Sequence, residues 1–296
     1  MLTQTKYLCA ALFLLGTSLF YSCSKERIEE EEKNDYESMN DYFDSKKEEE
    51  QDFLIDTGGT CPVQGKHGTR VCPAITSIQT ASAEDVEFPF NMHLIELYTP
   101  KDIIYYQLSN IKGSGHIGNN GIISLRATKD GASLEMKTGG AWSLEMPSSS
   151  PKASQEAFYS SSGSSWSSAS PVENFTTTAY GYDGFSTDLS WMANGEDHGA
   201  PNTSAKFTFS SDKDNLDNVV TYIYLPNKSS IIRVDNQASI SLPSGESAKI
   251  ILMAINGSGD LYHYFEETTV GTTDTNINLE LSQISDDNLT KILDEL

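Results

Sequence analysis
The 296-residue chain predicts an all-β fold: two β-sandwich-like domains with a short C-terminal helix, preceded by a signal peptide and a disordered acidic tether. Three observations predict it. Apolar residues alternate at period two over many short stretches, the pattern of strands with one buried face. Tight-turn signals such as Asp130-Gly131 separate those stretches. Composition agrees, because 14 Tyr, 21 Gly and abundant Ser and Thr favour strands and turns over helices.

The chain begins with something other than a strand. Lys6 precedes an apolar run from Leu8 to Leu15, and Leu19, Phe20, Tyr21, Ser22 and Cys23 follow. Gly16, Thr17 and Ser18 interrupt the run, which falls short of the roughly 20 apolar residues that span a bilayer, so residues 1–22 read as a cleaved export signal. A cysteine closing such a run resembles the lipobox of bacterial lipoproteins. Phe20 and Tyr21 stand where an aliphatic and a small residue are usual, as in the looser boxes of the Bacteroidota. The resemblance implies cleavage before Cys23, diacylation of its sulfur, acylation of its amine, and a membrane as partner. One acyl chain, at about 0.8 kcal/mol per buried methylene, binds marginally, so two or more are needed for a stable anchor. The alternatives are a plain signal peptide with an incidental cysteine, or an uncleaved helix.

Residues 23–56 are expected to form a lipidated tether. From residue 24 they carry fourteen Asp and Glu against five Lys and Arg, with runs at residues 29–32 and 48–50, and such a segment repels itself and stays solvated. Acidic residues directly after a lipidated cysteine resemble the surface-export signal of Bacteroidota lipoproteins. That implies an outer-membrane anchor facing the cell exterior. A solvating linker on a periplasmic lipoprotein is the alternative.

Residues 57–147 make the first expected sandwich. Cys61 and Cys72, flanked by Pro62 and Pro73, read as a disulfide-closed loop in an exported protein. His67 between them does not complete a zinc site, which needs a fourth ligand. Phe88, Phe90, Met92 and Leu94 alternate as a strand, the residues from Thr99 to Asp102 read as a turn, and residues 103–106 as the strand after it. Residues 123–127, the Asp130-Gly131 turn, residues 134–136 and residues 142–147 then read as a three-stranded meander.

Residues 148–171, rich in Ser, read as a flexible linker. Phe158, Tyr159 and Trp166 within it are candidate ligand contacts, since aromatic rings give much contact area for little ordering entropy. The alternative is that they fold back as loop plugs or a short strand. Residues 172–296 form the second expected domain. Its strands fall near residues 207–209, 219–225, 230–234, 240–242, 249–255, 261–265 and 275–281. A closing helix is capped by Ser285 or Asp286 and buries Leu289, Ile292, Leu293 and Leu296 at helical spacing.

Four pieces in order carry a wider likeness: Gly65, Gly68, Thr69, Arg70 and Val71; Ile95-Glu96-Leu97; the segment 121–131; and Met146-Pro147. Together with Leu189-Ser190-Trp191 and the segment 242–246, they resemble uncharacterised Bacteroidota surface lipoproteins whose first module is similar to a ZU5-like β-sandwich. No activity comes with that family.

Chemistry is bounded by charge and spacing. The net charge of −22 and the lack of clustered Lys and Arg argue against nucleic acid as a partner. The five His share no H-x-x-x-H or H-E-x-x-H spacing, so a metalloprotease has no support. The loop from Asp212 to Asn218 and Asp183-Gly184 are rich in oxygen, yet the first lacks the glycine and distal glutamate of an EF-hand, so an ordinary acidic turn is expected and no metal or cofactor is assigned. With so many carboxylates, sequence nominates no catalytic pair. The expected function is a non-catalytic surface protein presenting β domains to a protein or carbohydrate ligand. A surface hydrolase on polysaccharide or peptide, or a structural subunit of a surface complex, are the alternatives.

Overall fold
The computed structural model describes residues 36–57, 61–169 and 173–296; the apolar run, Cys23 and the first part of the acidic stretch lie outside them. The described chain is mostly strand, with a short C-terminal helix, as the alternation predicts. In chain order the first strands are β1 (Gln51–Ile55), β2 (Val63–Gln64), β3 (Arg70–Cys72), β4 (Ile78–Thr80) and β5 (Phe90–Leu97). Next come β6 (Ile111–Lys112), β7 (Gly115–Lys129), β8 (Ala132–Met136), β9 (Trp142–Pro147) and β10 (Gln155–Ser160). β11 (Ser167–Ser168), β12 (Asn174–Thr177), β13 (Gly181–Ser186) and β14 (Trp191–Asp197) complete the group.

Ten of these fourteen strands form one path in the order β1-β5-β7-β14-β10-β12-β13-β9-β3-β2, with β6 and β8 paired to β7, β4 to β8 and β11 to β10. It doubles back on itself. Phe90, Met92 and Leu94 of β5 and Ile123 and Leu125 of β7 share a buried cluster with Trp142, Leu144 and Met146 of β9 and Tyr182 of β13. The alternation in β5 and β9 that predicted strands is thus the inward face of a sandwich.

Three expectations about this half change. The meander breaks after the Asp130-Gly131 hairpin: β8 pairs with β4, while β9 pairs with β13 and β3. Pairing between distant strands leaves no local mark in the sequence. Residues 100–105 are helical, not strand, because Thr99 and Asp102 form a capping box and Pro100 opens the first turn. The Ser-rich stretch is no free linker, since β10 lies between β14 and β12, and β12 to β14 belong to the first sandwich.

Residues 36–56 of the expected tether are not a solvated spacer. The helix α1 (Met39–Lys46) is capped by Ser38 and buries Met39, Tyr42 and Phe43, while β1 pairs with β5. Three apolar residues at helical spacing outweigh the acidic residues around them. With α2 (Pro100–Tyr105) and α3 (Asp286–Asp294), α1 fills the space behind the first sandwich. Tyr42 donates a hydrogen bond to Asp286 Oδ1 (3.2 Å), and Lys46 pairs with its other oxygen at 2.6 Å.

The second group comprises β15 (Ser204–Ala205), β16 (Phe207–Ser210), β17 (Val220–Leu225), β18 (Ser230–Val234) and β19 (Leu242–Pro243), then β20 (Ser247–Ile255), β21 (Leu261–Thr269), β22 (Thr275–Asn278) and β23 (Ser282–Gln283). A five-stranded sheet, β18-β17-β20-β21-β23, buries Ile223, Leu225, Ile250 and Leu252 against Phe207 and Phe209 of β16 and Ile277 of β22. Its opposite face gives Tyr222, Ile251 and Met253 to a cluster shared with the three helices and with Leu97, Ile122 and Phe158 of the first sandwich. The two sandwiches therefore share a core through the helices.

The motif pieces near residues 65 and 96 meet in space. Glu96, 4 % exposed at the inner end of β5, accepts hydrogen bonds from the backbone of His67 (2.9 Å) and Thr69 (2.7 Å) and from Gln51 Nε2 (2.8 Å). A side chain at Gly65 would strike this carboxylate, and Gly68 turns the loop with φ +101°. A buried carboxylate satisfied by backbone donors fixes a loop rather than performing chemistry. The expected disulfide, Cys61 to Cys72, closes the same loop.

Two stability tests follow from this architecture. Replacing both cysteines by serine should cost about 3 kcal/mol in denaturant unfolding, from a sequence separation of 11 and the loop-closure relation. Phe43→Ala, at a position that a solvated tether would leave neutral, should cost about 3 to 5 kcal/mol by the same measurement.

Candidate functional site
The seam between the two sandwiches is built from amides. Asn110, fully buried, donates its backbone N–H to Ile231 O (2.7 Å), and its side-chain oxygen accepts from Ile231 N (2.8 Å). Asn119 donates its backbone N–H to Ser229 O (3.0 Å), and its side-chain nitrogen reaches Asn110 Oδ1 (3.0 Å) and Ser229 O (3.3 Å). The free edge of β18 is thereby closed by groups of the first sandwich.

Beside this seam, β7 carries a bulge. Ile122 pairs with Ala193 and Asn119 with Gly195, leaving Asn120 and Gly121 opposite Asn194 alone. A bulge re-aims side chains. Asn120 Nδ2 donates to Gln155 Oε1 at 2.5 Å, and a side chain at Gly121, where φ is +149°, would strike the Tyr98 ring.

A cleft of about 220 Å³ opens here. Its polar lining is Asn119, Asn120, Thr99, Ser148 and Ser229, and Tyr98 and Tyr224 add ring surface alongside Pro100, Ile103 and Ile231. Burial pushes both tyrosine hydroxyls above the usual range, so they stay neutral. Tyr98 shares a hydrogen bond with Thr69 Oγ1 at 2.7 Å. A smaller recess of about 20 Å³ adjoins the cleft through Asn120 and Ser229, and Lys152, Glu196, His198 and Lys228 line it. Lys228 pairs with Glu246 at 3.4 Å.

The aromatics singled out in the Ser-rich stretch are not contact residues of this cleft. Phe158 is fully buried and Trp166 is 3 % exposed, both in the shared core, and the Trp166 indole donates to Ser109 O at 2.6 Å. Tyr159 is half-buried, donating to Glu173 (3.2 Å) and accepting from Thr187 N (3.0 Å). The alternative reading holds: Phe158 and Tyr159 lie on the strand β10, and Phe158 and Trp166 fold back into the core. Cys23, the expected lipidation site, lies outside the described residues. The cleft residues escaped the sequence reading because they come from four distant segments. The one local signal was Asn119-Asn120-Gly121, a polar break inside an apolar strand.

The titratable clusters have structural duties. Glu50, Asp52 and His93 have the donor atoms for a metal, but Arg126 pairs with Glu50, His93 Nδ1 contacts Asp52 at 2.5 Å, and its Nε2 contacts Thr128 at 2.8 Å. Asp52, His93 and Arg126 stand directly opposite one another on β1, β5 and β7, a polar ladder in which the Arg126 guanidinium already engages Glu50. In the acidic loop near residue 212, Asp212 accepts from Asn278 (2.8 Å), and Asp214 accepts from Leu281 N (2.8 Å). Those carboxylates tie the turn to the end of β22.

The fold brings His116 and His198 together, with ring centroids 5.0 Å apart. Burial, then the neighbouring His198 and Lys228, pull His116 down to about 4. Compared with models of protein families and with curated proteins, the chain matches none.

The His116 shift sets a pH dependence. The unfolded chain binds this proton near pH 6.5 and the folded chain only near 4, so the contribution is intact above 6.5 and declines as pH falls through that window. Wild type should therefore lose about 3 kcal/mol more than His116→Asn between pH 7 and pH 4, read by urea unfolding at each pH. Equal losses in the two proteins would remove His116 as the cause.

Proposed function
We propose that this chain is a lipid-anchored surface protein that captures a ligand in the cleft between its sandwiches, without catalysing a reaction. The cleft is the observation that carries the reading. Concave sites between packed modules are where small ligands are held, and fixed polar groups in the lining orient them. Here the polar groups are amides and hydroxyls, and among the described residues no carboxylate lines the larger cleft. A hydrolase of the glycosidase type works through two facing carboxylates, so the lining favours binding over the hydrolase alternative.

The anchor rests on Cys23 at the end of an apolar run and on the acidic residues after it. The likeness to Bacteroidota surface lipoproteins with a ZU5-like module points the same way. Among the described residues no helix is long and apolar enough to cross a membrane.

Palmitate labelling in the native cell should mark the wild-type chain and not Cys23→Ala, and globomycin should block its maturation. Protease added to intact cells should then remove the folded body. An unlabelled wild-type chain would end the anchored reading, and a labelled chain that the protease cannot reach would move it to the inner face.

A further inference from the structure
We infer that the cleft between the sandwiches takes a neutral saccharide unit, held by the Asn119 and Asn120 amides and by the ring surface of Tyr98 and Tyr224. This rests on the reading of that cleft as a binding site and names the chemistry it selects.

Asn119 spends its side-chain nitrogen on Asn110 and Ser229, which leaves its Oδ1 as an acceptor held at a fixed position. Asn120 spends one N–H on Gln155 and keeps a second N–H and its own Oδ1. The Tyr224 hydroxyl has no hydrogen-bond partner among the described residues, and burial keeps it protonated as a donor. Fixed donors and acceptors placed side by side match a group that gives and receives at once, which is what each sugar hydroxyl does. Partners already engaged behind them hold both amides in place before a ligand arrives.

The remaining lining sets the other half of the match. Tyr98, Tyr224 and Pro100 supply apolar area for the C–H face of a pyranose ring. No charged side chain lines the larger cleft among the described residues. A phosphate, a carboxylate or a free amino acid would enter without an ionic partner there, at a desolvation cost that hydroxyls avoid. The chain's net charge of −22 adds long-range repulsion against anions. Lys152 and Lys228 lie only in the adjoining recess, where Lys228 is already paired with Glu246, so an acidic sugar is the natural comparison ligand.

The test is titration calorimetry of the full chain, purified in detergent, against neutral gluco-, manno-, galacto- and xylo-oligosaccharides, with an oligogalacturonate run in parallel. At least one neutral oligosaccharide should bind, and its affinity should fall at least tenfold in Asn120→Ala. Ser148→Trp, at a half-exposed position on the cleft wall, fills the space and should abolish binding while the melting temperature holds. The inference is overturned if no neutral oligosaccharide binds, or if binding survives both substitutions. Binding of oligogalacturonate alone, lost in Ser148→Trp, would overturn the neutral class and leave the cleft as the binding site. Palmitate labelling at Cys23 reads the anchor separately.

Discussion

Where the two sandwiches meet, Asn110 supplies to Ile231 the pair of hydrogen bonds that a neighbouring strand would supply, one from its backbone and one to its side chain. It is fully buried, so neither bond competes with water, and losing one would leave a backbone group of β18 unpaired at a cost of about 1 to 3 kcal/mol. That arrangement fixes how near the edge of β18 approaches β7, and hence the width of the cleft beside it. The shared apolar cluster around the helices provides the bulk attraction. The amides provide the register.

Much of the architecture was written in local patterns. The strands of the second half fall close to the alternating stretches, the Asp130-Gly131 hairpin forms as its turn type demands, and Ser285 caps the last helix, which buries Leu289 and Leu293. The two cysteines pair. What local pattern could not carry was partnership at a distance. Nothing around Trp142 announces that β9 pairs with β13 and β3, because register between far strands is set by which faces find a common core. Charge misled in a different way. Counting acids over residues 24–56 concealed Met39, Tyr42 and Phe43, although their spacing was that of a buried helical face.

The cleft was less legible than the fold. Tyr98, Asn119, Ser148 and Tyr224 belong to four segments, and only Asn119-Asn120 broke its own pattern, by placing two polar residues in an apolar strand. Serine-rich composition drew attention to Phe158 and Trp166, which are core residues, and away from Ser148 and Lys152, which border the cleft and its recess. The Glu96 carboxylate and the Gly65 loop show the opposite case. Each looked like an isolated motif fragment, and together they form one satisfied contact that holds a hairpin against the sandwich.

The contact between α1 and α3 joins the first described helix to the last, through Tyr42 and Lys46 on Asp286. Among the described residues, a pull from the amino-terminal side reaches α1 before any strand, and Asp286 carries part of the load into the carboxy-terminal helix. Peeling would have to strip Tyr42 and Phe43 from the shared core before β1 could unzip from β5. The helix works as a strain relief, in the way a cable is clamped before its solder joint.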